Sequence, residues 1–339
     1  MSALGELVDW TRRARRALPP SDRRALVDPL WLATRFARFA WHRALGRPRC
    51  DDDAIPPRDP ALAGLLLDLV EGPGRRYFRY QAEGVEHLPT RGPALLVGNH
   101  SGGLLPTDGL FVALELRRRA GPERAMHALA HDFVFDDPKL RSYAGRIGLL
   151  RAQRTSAERA LRRGDCVLVY PGSDRDAFRA FRDRRRVMLS GRKGFVRLAL
   201  AAGVPIVPFV SAGVHEQMVV LTRGDAIARA LRMHAWARTD VFPIVLSVPW
   251  GVTSDFLPYW PLPAQITLRF GPPHLWPDLG PAAATAPHHV DACYAEVESR
   301  MQAMLDDLHV GRRAWLGRSR PRRRNPAAAD PPTRLGRWV

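Results

Sequence analysis

Lysine is almost missing. Of 52 basic residues only Lys139 and Lys193 are lysine, and the rest are arginine, a bias of the kind a GC-rich genome produces. Cysteine is scarce too. Cys50, Cys166 and Cys293 stand alone, without the paired spacing of a metal ribbon, a redox dithiol or a disulfide framework. A reducing, cytoplasmic setting fits that usage, and Cys166, which opens an apolar run, reads as a small core residue. Long hydrophobic runs are absent. The longest uncharged stretch, 198–214, is interrupted by Gly203, Pro205, Pro208 and Gly213, so it reads as a helix end, a turn and a strand rather than a membrane span. The start of the chain has no apolar core of the kind a secretory signal needs, so no signal peptide is expected. No internal repeat appears.

What is present is positive charge and enough apolar residues for a core. The 339 residues are 46% hydrophobic and carry a formal net charge of +18. That length allows one large domain with appendages. That charge favours anionic partners: a nucleic acid, an anionic membrane surface or a phosphate-bearing substrate. The arginines are scattered and no nucleic-acid motif accompanies them, so a specific nucleic-acid partner is not expected. A non-catalytic protein that sticks to anionic membrane or nucleic acid stands as the alternative class.

Four regions follow from the pattern. Residues 1–50 read as two basic amphipathic helices. The second has an apolar face with Trp31, Arg35, Arg38 and His42 at its edges, suited to lying on a lipid surface or to packing on the domain. Residues 51–76, acidic and proline-rich at the start, read as a linker. Residues 77–311 alternate short apolar runs with helical periods, which argues an α/β domain with a mixed, largely parallel sheet flanked by helices. Residues 312–339 are rich in arginine and proline and read as a disordered basic tail. Prolines in the apolar run 204–210 predict a sheet edge or strand ends there.

Two strand ends carry chemistry. The run ending in Val97 and Gly98 is followed by Asn99, His100, Ser101, Gly102, Gly103, Leu104, Leu105, Pro106, Thr107 and Asp108, and then by a helical period. Sites in open α/β sheets lie beyond the carboxyl ends of strands. A histidine there suits a general base, and a carboxylate can fix its tautomer and stabilise its charged form. Asp108, like Thr107, is equally placed to cap the helix. The second strand, Cys166 to Tyr170, runs into Pro171, Gly172, Ser173, Asp174 and Arg175. A glycine turn there can aim backbone N–H groups at a ligand, and an arginine suits an anion.

Together these blocks resemble the glycerolipid (lysophospholipid) acyltransferase superfamily over about residues 77–275, nearest to its monoacylglycerol and diacylglycerol acyltransferase-like branch. Asn99, His100 and Asp108 resemble its catalytic block, and Gly148 to Arg154 a second block. Tyr170 to Arg175 resemble a third, and Val204 to Pro208 a fourth. Two departures stand out. Seven residues separate His100 from Asp108 where the family has four. Gly172-Ser173 also replaces the Glu-Gly usual in enzymes with phosphate-bearing acceptors.

The resemblance implies an O-acyltransferase bound peripherally to the cytoplasmic face of a membrane, with a lipid acceptor and with acyl-CoA or acyl-carrier protein as donor. It implies no cofactor and no metal. His100 would be the base and Asp108 its partner. Asn99, Arg154, Pro171, Gly172, Ser173 and Arg175 would line the substrate site. Lysophosphatidate acylation is the alternative within the class, kept open by Arg175.

Overall fold

The computed structural model describes residues 57–103, 107–136, 138–254 and 259–318, together with Arg12. Apart from Arg12, the two basic helices expected in 1–50 lie outside the described residues, as do 319–339.

The chain alternates helices and strands. Helix α1 (Pro60–Arg76) precedes β1 (Gln81–Glu83) and β2 (Ala94–Gly98), followed by α2 (Thr107–Ala120) and β3 (Met126–Ala130). Then come α3 (Phe133–Asp136), α4 (Pro138–Arg146), β4 (Leu149–Arg151), α5 (Arg154–Arg162), β5 (Cys166–Val169) and α6 (Ser173–Ala177). After α7 (Gly194–Ala202), β6 (Ile206–Ala212) and β7 (Val219–Thr222) lie the short helices α8 (Asp225–Ala230) and α9 (Met233–Ala237). Strands β8 (Ile244–Ser247), β9 (Gly251–Ser254) and β10 (Thr267–Phe270) lead to the long α10 (Pro287–His309).

Seven strands form one sheet in the order β1-β10-β6-β2-β5-β3-β4, parallel from β6 to β4, with β10 antiparallel to β6. This is the expected α/β class. All five residues of β2 are buried, as a strand covered by helices on both faces requires. Leu95 and Val97 pack with residues of α5, α7 and α10, while Ala94 and Leu96 pack with α1 and α2. Three further strands, β7-β8-β9, form a small antiparallel sheet.

Three features differ from expectation. Residues 60–76 are a helix, not a linker. Asp59 caps it by accepting from the Leu62 amide at 3.0 Å, and Leu67 enters the core. Its Gly72-Pro73-Gly74 run looks like a breaker in sequence. Pro73 is tolerated late in the helix, and a side chain at Gly74 would strike the Phe111 ring at 2.6 Å. At the other end, residues expected in the tail belong to the domain as far as Arg318. Buried Arg312 pairs with Glu216 at 2.7 Å, and Trp315 donates from its ring nitrogen to the Glu216 carbonyl. Finally, Pro208 lies inside a central strand. The side of β6 from which its N–H is missing faces β10, which has already ended at Phe270. Its carbonyl accepts from Gly271 at 2.7 Å, so the one bond the proline forgoes lies just past the end of β10.

Candidate active site

The site forms where the adjacent strands β6, β2 and β5 end. Gly98 closes β2 against β6. A Cβ there would lie 2.1 Å from the Phe209 ring, so only glycine fits. Asn99 is fully buried and bonds the Ser211 backbone twice, accepting from its N–H at 2.8 Å and donating to its carbonyl at 3.3 Å. These bonds staple β2 to β6 and engage both ends of the side-chain amide that was expected to meet substrate.

His100 follows. Its ring stacks on Tyr170, just past β5, with centroids 4.5 Å apart. Its Nδ1 is buried without a hydrogen-bond partner. Burial, then the charge of Arg179, pushes its pKa down to about 4. The imidazole is therefore neutral at physiological pH.

Asp108 is fully buried in the first turn of α2. Its Oδ1 accepts from the Tyr170 hydroxyl and the Gly109 amide, each at 3.0 Å, and its Oδ2 accepts from Ser211 Oγ at 2.8 Å. Burial raises its pKa to about 6 against the opposing pull of these bonds. None of them comes from His100. The link between base and carboxylate runs through Tyr170, whose face meets the imidazole and whose hydroxyl meets the carboxylate. Thr107, the other capping candidate, instead donates to Gln217 Oε1 at 3.0 Å.

A second pair holds the loop. Arg179 and Asp176 are buried and 2.8 Å apart. Asp176 accepts the His100 N–H at 2.5 Å, and Arg179 donates to the His100 carbonyl at 2.5 Å and to Ser101 Oγ at 2.8 Å. Both polar groups of the histidine's backbone are thus engaged by one ion pair. Burial raises the Asp176 pKa to about 6 despite Arg179. Tyr259 adds a hydrogen bond to the Gly102 carbonyl at 2.9 Å. Sequence reading missed Tyr170, Asp176, Arg179 and Ser211 as members of the site. The legible signal was a carboxylate and an arginine three residues apart beside apolar Ala177 and Phe178.

The remaining candidates separate. Pro171 and Gly172 are buried in the turn after β5. A Cβ on Gly172 would meet the Met188 carbonyl oxygen at 2.2 Å and Asp176 Cβ at 2.3 Å. Ser173 has a left-handed φ of 51°, and its amide closes the turn onto the Tyr170 carbonyl at 3.1 Å. That amide is not aimed at a ligand, which leaves Gly172 as the oxyanion donor to consider. Arg175 is exposed, with Asp240 at 3.4 Å. Arg154 is exposed and paired with Glu158 at 2.6 Å. It starts α5 beyond β4, two strands or about 10 Å from β5. The structure does not bring it to His100.

Comparison with known proteins agrees with these blocks. The Acyltransferase family model matches residues 79–212. An uncharacterized protein of Mycobacterium tuberculosis is 31% identical over 314 residues, 92% of this chain and 84% of that one. A Gallus gallus protein named "DGAT1/2-independent enzyme synthesizing storage lipids" is 35% identical over 154 residues, 45% of this chain and 44% of its own length. Among solved structures, the 1-acyl-sn-glycerophosphate acyltransferase PlsC of Thermotoga maritima aligns with 84% of this chain and 98% of its own, at 15% identity and a TM-score of 0.45.

Proposed function

The chain belongs to the glycerolipid acyltransferase superfamily and is an acyltransferase, and from that premise we propose that it esterifies a lipid hydroxyl with a fatty acyl group carried as a thioester. The observation that carries this reading is a neutral histidine at the end of β2 with a buried, unpartnered Nδ1, linked to the buried carboxylate of Asp108 through the ring and hydroxyl of Tyr170.

In the proposed step the acceptor oxygen attacks the thioester carbonyl while Nε2 of His100 takes the hydroxyl proton. The tetrahedral intermediate collapses, the C–S bond breaks, and the imidazolium returns the proton to the departing thiolate. Asp108 acts on the imidazolium. When its carboxylate reaches Nδ1, the charged ring is stabilised and the histidine pKa rises from its depressed value. Catalytic hydrogen bonds that are open in an unliganded enzyme often close with substrate. The Gly172 amide is the proposed donor to the oxyanion.

The donor is acyl-CoA or acyl-carrier protein, and the enzyme works on a membrane surface. A glycerolipid with a neutral headgroup is the favoured acceptor, because Gly172-Ser173 replaces Glu-Gly and Arg154 is already paired. The relative named for storage lipids supports that direction. Lysophosphatidate is the second reading, favoured by exposed Arg175 close to the turn.

The test is thiol release from a long-chain acyl-CoA with monoacylglycerol, diacylglycerol, lysophosphatidate and a fatty alcohol, repeated with acyl-carrier protein. Release that depends on an acceptor and vanishes in His100→Ala is expected. Wild-type turnover in that variant sinks the mechanism.

A further inference from the structure

We infer that the outer face of the β7-β8-β9 sheet, continued by α8, is a plate that lies on an anionic lipid bilayer beside the active site. The inference rests on the acyltransferase reading only for what the lipid is used for.

The inner face of this sheet is ordinary core. Val220 and Val245 are buried against Met218, Ala177, Phe178, Val241 and Tyr259. The outer face is not. Seven of the eleven strongly exposed large apolar side chains among the described residues fall between Leu221 and Val252. They are Leu221, Ile227, Leu231, Leu246, Val248, Trp250 and Val252. Register explains the clustering. Val252 lies directly across from Leu246, and Leu246 across from Val219, so one rung of the sheet is aliphatic on its outward side. Leu246 is 44% exposed, Trp250 48% and Val252 66%. Single exposed apolar side chains need no explanation, but a contiguous group marks an interaction surface.

Charge identifies the occupant. Of the four arginines between Val219 and Arg238, Arg223 pairs with Asp225 at 3.0 Å and Arg238 pairs with Asp132, so Arg229 and Arg232 supply the positive charge beside the apolar face. Arg229 and Arg232 are exposed and bracket Leu231. Apolar side chains with a tryptophan and a basic rim suit the acyl–headgroup boundary of an anionic membrane. A second copy of this chain would set the same arginines against one another. The amino-terminal 50 residues meet the same objection, with eleven arginines against four carboxylates.

The plate also touches the catalytic loop. Ala177 and Phe178, beneath the sheet, lie between the clamp residues Asp176 and Arg179. Tyr259, from the same cluster, bonds Gly102. Lipid under the plate would lie one layer from His100.

The experiment is flotation of the full chain with vesicles of phosphatidylcholine and phosphatidylglycerol, beside turnover of a short-chain acyl-CoA with a water-soluble alcohol. The Leu246→Ser/Val252→Ser variant is expected to lose partitioning by about tenfold or more while short-chain turnover stays as wild type. Arg229→Glu/Arg232→Glu should weaken binding to the mixed vesicles and leave binding to pure phosphatidylcholine unchanged. The inference is overturned if the wild type does not float, or if the serine variant floats as the wild type does. It is equally overturned if the wild type is a lipid-free dimer that the serine variant dissociates. If neither protein turns over any acceptor while flotation still depends on Leu246 and Val252, the transferase reading fails and the plate stands.

Discussion

Arg179 holds the carbonyl oxygen of His100 at 2.5 Å, from a side chain only 1% exposed. The same guanidinium pairs with Asp176, which takes the amide of His100. The position of the base is therefore set by a buried ion pair that need not touch substrate.

Removing one member of this pair should be costly in stability. Arg179→Met leaves Asp176 buried and uncompensated, at about 3–5 kcal/mol, read from urea unfolding. Arg179→Lys retains charge but loses the fork that spans His100 and Ser101. Its kcat should fall by about tenfold or more, with KM changed less than about twofold, because a shift in the base affects the step and not the binding. An unchanged kcat in a folded Lys variant would show that the clamp does not position His100.

The Tyr170 hydroxyl gives a test in pH. Its bond to Asp108 holds that carboxyl's pKa down, against burial, at about 6. If ionised Asp108 is needed, kcat/KM falls as pH drops through about 6, and His100, depressed to about 4, does not set that limb. Asp176 also lies near 6, but Tyr170→Phe removes a bond to Asp108 alone. The variant keeps the ring stacked on His100, so its acidic limb should move to higher pH. A limb that stays in place would assign it to Asp176 or another group.

These relationships also mark what the sequence could convey. The ends of β2 and β5, the glycine turn and His100 were legible because each is a local pattern: an apolar run broken by glycine next to a titratable side chain. Ser211 was not, since it reaches Asp108 across 103 residues and no spacing encodes that approach. Arg154 and Asn99 were read for their place in a motif. The structure gives Arg154 to Glu158 and Asn99 to the backbone of β6. Helix α1 was hidden because Gly72-Pro73-Gly74 looks like a stop. Locally it is one, but packing of Gly74 on Phe111 outweighs the weak propensity.

Stability should carry the sign of His100 burial. Its folded pKa, about 4, is below the ordinary value of 6.5, so the unfolded chain binds a proton that the folded chain refuses. Its contribution is complete above about pH 6.5 and is lost as pH falls through about 4. In His100→Gln that dependence disappears. The unfolding free energy of wild type minus variant should therefore rise with pH between about 4 and 6.5. A flat difference across that window would mean that the ring is not buried as a neutral group.

The arginines decide the acceptor. Arg154 is 62% exposed and bound to Glu158 within its own helix, an arrangement worth about 0.3–0.5 kcal/mol. Arg154→Ala should change neither stability nor turnover by more than a small fraction. Arg175 stands one turn from Gly172, with its nearest carboxylate, Asp240, at a loose 3.4 Å. If the acceptor carries a phosphate, Arg175→Ala should raise KM for lysophosphatidate by about tenfold, the loss of one charge-assisted contact. KM for monoacylglycerol should stay within about twofold of wild type. Equal, small effects on both acceptors would count against Arg175 as a phosphate ligand and favour the neutral hydroxyl, since Arg179 is buried in the clamp and Arg154 lies two strands away.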